Sequence, residues 1–341
     1  MKKYRVGVIG LDHWYWADGL IPGILKHPRL KLAALYDSEP WRLAASGYAP
    51  KAERVVRTPA GITDADDIDV VVSLLPCPAS ARWLARAAKN RKALVCNKPL
   101  AMTVADGKRI VDALRRTGRP SFTLEGGAAL SGRTALIRKI IRSGAIGRPL
   151  TAFASMRGSM PMAWRDRGGK SGRKNWGWWV DRKLVPGGAW IDHSIYAIAE
   201  FGRYLTDSPA KVAATFANIS HRSSMPGLED YGIAVYTYRR GTVVTMEYDW
   251  IGRMGSSHSI VGDRGAIRWD GGIPWGFLEV RSGRAVKKMK VPPNRENVLG
   301  HLVRCLDSGV ETAHPARAGL ENLRIALGAY KSARTGRTIR L

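Results

Sequence analysis

Asp192, His193 and Tyr196 place a carboxylate, an imidazole and a phenol within five residues, just after the pair Gly187-Gly188. If the segment is helical, Asp192 and Tyr196 lie one turn apart on one face, and His193 points about 100° away. A phenol serves as an acid/base when a nearby cation draws its pKa down from about 10. Lys98 is the candidate cation. It follows the apolar run Ala93–Cys96 and precedes Pro99, which stiffens the turn. The C-terminal end of a buried strand is where open α/β sheets put ligands. The plainer readings are a surface lysine, a packing tyrosine, and a structural or substrate-contact role for His193.

The elements that must position these groups follow from patterning. Tyr4–Gly10, Leu30–Tyr36, Val70–Leu75 and Ala93–Cys96 read as strands, and Pro120–Leu124 opens the next segment. Helical stretches run from after Gly10 to Ile24, over Ser80–Lys89 and over Thr103–Thr117. Strands alternating with helices imply βαβ units and a parallel sheet. Beyond about residue 122 the pattern changes. A helix over Thr134–Ser143 precedes the β-rich runs Leu150–Met156, Ala210–Ile219, Ile233–Tyr238, Val243–Asp249, Ser257–Gly262, Ala266–Asp270 and Leu278–Arg281. Helices over Glu296–Leu306 and Arg317–Ala333 close the chain. The expected fold is an N-terminal Rossmann doubly wound parallel sheet, residues 1–122, followed by a C-terminal α+β domain. That second domain, residues 123–341, is built on a large, mostly antiparallel open sheet.

The first turn reads Gly7-Val8-Ile9-Gly10-Leu11-Asp12-His13-Trp14-Tyr15. A dinucleotide-binding turn wants glycines at positions 10, 12 and 15; only Gly10 is there. Asp37 ends the second strand, 27 residues after Gly10. A carboxylate there accepts ribose hydroxyls and repels a 2′-phosphate, so NAD is favoured over NADP. The expected cofactor contacts are Gly10, Leu11, Asp12, His13, Asp37, Leu75, Pro76, Asn97 and Lys98. Asp12 leaves two alternatives. It caps the first helix and points aside, or it takes the place of the anion at the helix N-terminus. Asp37 has a rival reading as a turn or N-cap acid.

The 341 residues carry 55 Lys and Arg against 28 Asp and Glu, a net charge of +27. The excess favours acidic partners, yet the basic residues are spread out and carry no zinc-finger, KH or RRM signature. Nucleic acid is therefore not the expected partner. No apolar run approaches the roughly 18 residues that span a bilayer. The Val6–Leu11 run is cut short by Asp12 and His13, so it is read as a buried strand rather than the apolar core of a secretory leader. A cytoplasmic location is expected. Cys77, Cys96 and Cys305 have no metal-ligand spacing, and no metal is expected.

These motifs together resemble the Gfo/Idh/MocA oxidoreductase family over essentially the whole chain. Val6–Gly10 looks like its first βα unit, and Asp69–Pro76 like its fourth strand ending in proline. Cys96-Asn97-Lys98-Pro99-Leu100 resembles its Glu-Lys-Pro motif with Asn97 for Glu. Gly187–Tyr196 resembles its Gly-Gly…Asp-x-Gly-x-His segment, with Ser194 for Gly and Tyr196 for the His usually assigned as acid/base. Glu229-Asp230 and the ending Tyr330–Arg337 are further landmarks. The resemblance implies NAD(P)-dependent oxidation or reduction of a sugar, cyclitol or related polyol, in a homodimer or homotetramer. Hydride transfer from an alcohol needs a base for the hydroxyl proton and a donor or cation on the oxygen. Lys98 and Asp192 would position the alcohol, with Tyr196 as acid/base and His193 as the other candidate. Trp164, Arg165, Trp176, Trp179 and Arg182, in the Trp- and Arg-rich segment 157–186, would meet the substrate by ring stacking and anion binding. The bland alternative there is a subunit-contact arm. Two rivals stand beside the leading reading: an enzyme that retains NAD and uses transient oxidation for elimination or glycoside cleavage, and a cofactor-free binding or regulatory protein.

Overall fold

The computed structural model describes residues 2–160 and 177–341, and its contacts group into two compact units. In the first, chain order runs β1 (Tyr4–Ile9), α1 (Trp14–Lys26), β2 (Leu30–Tyr36), α2 (Pro40–Ser46), β3 (Arg54–Val55), α3 (Ala60–Thr63), β4 (Val70–Ser73), α4 (Cys77–Lys89), β5 (Ala93–Cys96), α5 (Val104–Thr117) and β6 (Ser121–Thr123). The strands pair in the order β3-β2-β1-β4-β5-β6, and every pair is parallel. This is the dinucleotide-binding order, in which the direction of winding reverses between β1 and β4 while the strands stay parallel. Helices on both faces leave the strands no solvent side, so β4 and β5 are buried at every position. Local chemistry sets the helix ends. The Thr103 hydroxyl accepts Asp106 N–H at 3.1 Å to start α5, and Gly118 ends it at φ +65°.

The second unit holds α6 (Gly132–Arg142), β7 (Pro149–Ser159), α7 (Ala189–Leu205), β8 (Pro209–Ala217), β9 (Tyr231–Tyr238), β10 (Val243–Asp249), β11 (Ile251–Gly262), β12 (Gly265–Asp270), β13 (Phe277–Ser282) and β14 (Ala285–Lys290). Its sheet runs β14-β13-β12-β11-β7-β10-β9-β8, with β15 (Ile339–Arg340) beyond β8. Pairing is antiparallel except between β7 and β10. Alternation is clear on β9, where Gly232, Ala234, Tyr236 and Tyr238 are buried. Trp190 of α7 packs among Phe216, Tyr236 and Tyr248, and its indole N–H reaches Ala326 O at 3.3 Å.

Two helices close the chain, α8 (Val298–Ser308) and α9 (Ala316–Thr335). Division by chain order at 122/123 and division by packing differ here. Glu296–Leu323 belongs with the first unit, because Leu299, Leu302 and Val303 of α8 join the cluster formed by Tyr4, Val6, Leu30 and Leu32. Burying that face outweighs proximity in sequence. No helix among the described residues is long and apolar enough to cross a membrane.

Candidate functional site

The turn after β1 is built around a glycine that cannot be replaced. Gly10 sits at φ +85°, and a Cβ there would lie 2.7 Å from Leu75 N. The turn is tied to the neighbouring strands by Gly10 N–H to Tyr36 O (2.7 Å) and His13 N–H to Leu74 O (3.2 Å). Asp37 fastens it further, accepting Leu11 N–H at 2.6 Å and Glu39 N–H at 2.8 Å. Arg42 donates to the same carboxylate at 3.2 Å. Of roughly four acceptor positions on a carboxylate, Asp37 thus commits three to its own chain. Asp37 is therefore a turn acid directly after β2.

Asp12 does not cap α1, contrary to the first alternative above. The N-cap position is His13, and its side chain makes no capping bond. The Asp12 carboxylate is engaged through both oxygens. Its Oδ2 accepts the Trp178 indole N–H at 2.6 Å, and its Oδ1 lies 3.4 Å from Arg42 Nη1. Arg42 therefore bridges Asp12 and Asp37. Burial pushes the Asp12 carboxyl above its ordinary range, with Asp37 adding to the push; Trp178 and Arg42 pull the other way.

At the ends of β4 and β5, Asn97 is the organising residue. Its Nδ2 donates to Leu75 O (3.2 Å) and to His13 Nδ1 (2.5 Å), and its Oδ1 accepts Lys98 N–H (2.8 Å). These partners fix which way the amide faces, and they require a lone pair on His13 Nδ1. A glutamate here could not donate, so the exchange of acid for amide goes with His13. Lys98 is buried, its carbonyl accepts from the Cys77 thiol at 3.1 Å, and the Lys98–Pro99 peptide is cis. Pro76 stands at the N-cap of α4.

In the second unit, α7 carries Asp192, His193 and Tyr196 in its first two turns. Asp192 is buried; His193 and Tyr196 are half-buried. Trp250 donates its indole N–H to His193 Nε2 at 3.0 Å. Indole only donates, so that nitrogen presents a lone pair and the neutral ring carries its proton on Nδ1. The Asp192 carboxylate lies 3.5 Å from the same nitrogen.

The start of α7 is held by residues that sequence reasoning left without a role. Glu229 Oε1 accepts Gly188 N–H (2.7 Å), Trp190 N–H (3.1 Å) and the Tyr330 hydroxyl (2.7 Å). Tyr330 in turn accepts Ile191 N–H at 3.1 Å. This explains the glycine pair. A Cβ on Gly187 would lie 2.0 Å from the Tyr330 oxygen, and one on Gly188 would lie 2.2 Å from Glu229 O. Burial pushes the Glu229 carboxyl up to about 7, against the hydrogen bonds from Tyr330 and the α7 amides.

Of the expected substrate contacts, Trp164, Arg165 and Trp176 lie outside the described residues. Trp179 is buried and Arg182 is exposed. Arg42, Trp178, Glu229 and Tyr330 were not among the expected site residues. Trp178 lay in the Trp- and Arg-rich segment, Glu229 and Tyr330 were landmarks of the resemblance, and Arg42 had no sequence signal. Among the described residues, no group of three His, Cys, Asp or Glu could hold a metal.

The strand order, the Gly10 turn and the acid that follows β2 define a dinucleotide-binding oxidoreductase scaffold, and they fit such a cofactor with two glycine positions exchanged, Asp12 and Tyr15. Residues 4–124 match the oxidoreductase family with the NAD-binding Rossmann fold, and residues 134–268 match the GFO/IDH/MocA C-terminal domain. The chain belongs to the Gfo/Idh/MocA family and is an oxidoreductase with an NAD-binding domain. It is 25% identical to D-apiose dehydrogenase of Paraburkholderia graminis, over 100% of this chain and 90% of that protein. Among solved structures it resembles aldose–aldose oxidoreductase from Caulobacter crescentus complexed with glycerol (TM-score 0.83, 23% identity, all of both chains). It also resembles levoglucosan dehydrogenase in complex with NADH and levoglucosan (TM-score 0.84, 18% identity, 99% of both chains).

Proposed function

We propose that this chain is an NAD-dependent dehydrogenase or reductase acting on an alcohol or carbonyl of a sugar, cyclitol or related polyol. Residues 1–122 would serve the dinucleotide and 123–341 the substrate. The observation that carries the NAD preference is Asp37, an acid at the end of β2 bonded to Leu11 N–H. Its negative charge disfavours a 2′-phosphate. The names of the relatives, which act on D-apiose and aldoses, support the substrate class.

A bound nicotinamide supplies hydride exchange with the substrate carbon. Gly10, Leu11, His13, Leu75, Pro76 and Asn97 would shape its seat, with Lys98 providing positive charge at the end of β5. Tyr196 takes or returns the hydroxyl proton, and Asp192 orients the hydroxyl. His193 is the other candidate base, and to accept a proton at Nε2 it must release the Trp250 N–H. Arg182 remains the candidate for an acidic group on the substrate.

Titration with NADH and NADPH by fluorescence tests the reading. Saturable NADH binding, tighter than NADPH, is expected. Absence of saturable binding of either at millimolar concentration would sink it.

A further inference from the structure

Asp12 stands where a second glycine normally lets the chain approach a diphosphate. An unrestrained carboxylate at that place would repel the ligand. In this fold it is restrained from two directions. Its Oδ2 takes the Trp178 N–H at 2.6 Å, and its Oδ1 faces Arg42 at 3.4 Å. Its side chain keeps only 12% of its exposure.

Trp178 is itself well placed for this task. It is buried, and its ring packs 5.5 Å from that of His13. His13 is held by Asn97, and Asn97 by Leu75 O and Lys98 N–H. A continuous chain of polar bonds and ring contacts therefore runs from the ends of β4 and β5, through His13, to the Trp178 ring. Trp178 closes it on Asp12. Arg42, shared with Asp37 at 3.2 Å, balances one of the two carboxylate charges.

We propose that Trp178 is a positioning residue for the dinucleotide turn, holding the Asp12 carboxylate aside so that a diphosphate is accepted where the second glycine is missing. The proposal rests on the dinucleotide reading above and adds a conditional role: Trp178 matters for binding because residue 12 is an acid. Removing the indole N–H leaves a half-buried carboxylate oxygen without its donor. Such an oxygen recovers partners by turning toward the backbone amides of its own turn, where it competes with the ligand.

The test is calorimetric titration of NADH into the full chain and into Trp178→Phe, Asp12→Gly and the double variant, with thermal denaturation confirming that each folds. Trp178→Phe is expected to weaken NADH binding by roughly tenfold or more, the loss of one charge-assisted hydrogen bond. In the Asp12→Gly background the same change is expected to leave affinity within about twofold, a coupling that a purely packing role does not produce. Asp12→Asn, which keeps an acceptor without the charge, is expected to blunt the Trp178→Phe effect as well. An unchanged affinity in Trp178→Phe, or an equal loss in both backgrounds, overturns the proposal. Binding by Asp12→Gly but not by the natural chain also overturns it while sparing the dinucleotide reading. Failure of both to bind overturns the two together.

Discussion

Replacing Glu229 by glutamine is expected to flatten the fall in stability with rising pH between about pH 5 and pH 8. The glutamine carbonyl oxygen can accept the same three donors, Gly188 N–H, Trp190 N–H and the Tyr330 hydroxyl, but it has no proton to lose. In the folded protein the Glu229 carboxyl is raised from 4.5 to about 7 by burial, so folding favours its protonated form. Its contribution is fully present below about pH 4.5 and is lost as pH rises through about 7. That difference corresponds to roughly 3 kcal/mol. Tyr330, the titratable group against it, is pushed well above 10 by burial and by Glu229, and stays silent in this range. Urea denaturation of both proteins at about pH 5 and pH 8 reads the effect, with the natural chain losing up to about 3 kcal/mol more than the variant. Parallel behaviour of the two proteins would refute a carboxyl titrating at the start of α7.

Gly10→Ala is expected to lower stability by at least about 1–3 kcal/mol and to abolish NADH binding, because the new Cβ meets the Leu75 backbone at a positive φ; denaturation midpoints and titration check this. Tyr196→Phe is expected to lower turnover by about a hundredfold or more if the phenol moves the proton, and near-normal turnover would return the role to His193. Asn97→Glu is expected to cost about 1–3 kcal/mol, since a carboxylate cannot donate to Leu75 O and His13 Nδ1; an unchanged melting midpoint would contradict the assigned amide orientation.

The parallel sheet was legible because its strands announce themselves. Val70-Val71-Val72 and Ala93–Cys96 are short apolar runs between helical patterns, and their chain order fixes the pairing. The antiparallel strands were found, though with short limits. β7 runs on to Ser159, and β11 begins at Ile251. β14 was not among the expected strands, because Lys287, Lys288 and Lys290 give it no apolar alternation. It is a sheet edge, where lysine is tolerated and discourages further pairing. The site was less legible. Spacing would put Asp192 and Tyr196 on one face only if their segment were helical, and the helix α7 itself was not read from the sequence. It gave no hint that Trp178 would meet Asp12, 166 positions away, or that Asn97 would hold His13. Such partners are chosen by three-dimensional packing and leave no periodic trace.

The place of α8 bears on how the chain is made. Tyr4, Val6, Leu30 and Leu32 cluster with Leu299, Leu302 and Val303, so part of the first unit's apolar surface waits for residues near the other end. At about 5–20 residues per second, a ribosome takes roughly ten to forty seconds to add the 180 or so residues between Gly127 and Ser308. Throughout that interval the emerging sheet keeps an uncovered oily flank, an obvious customer for a holding chaperone.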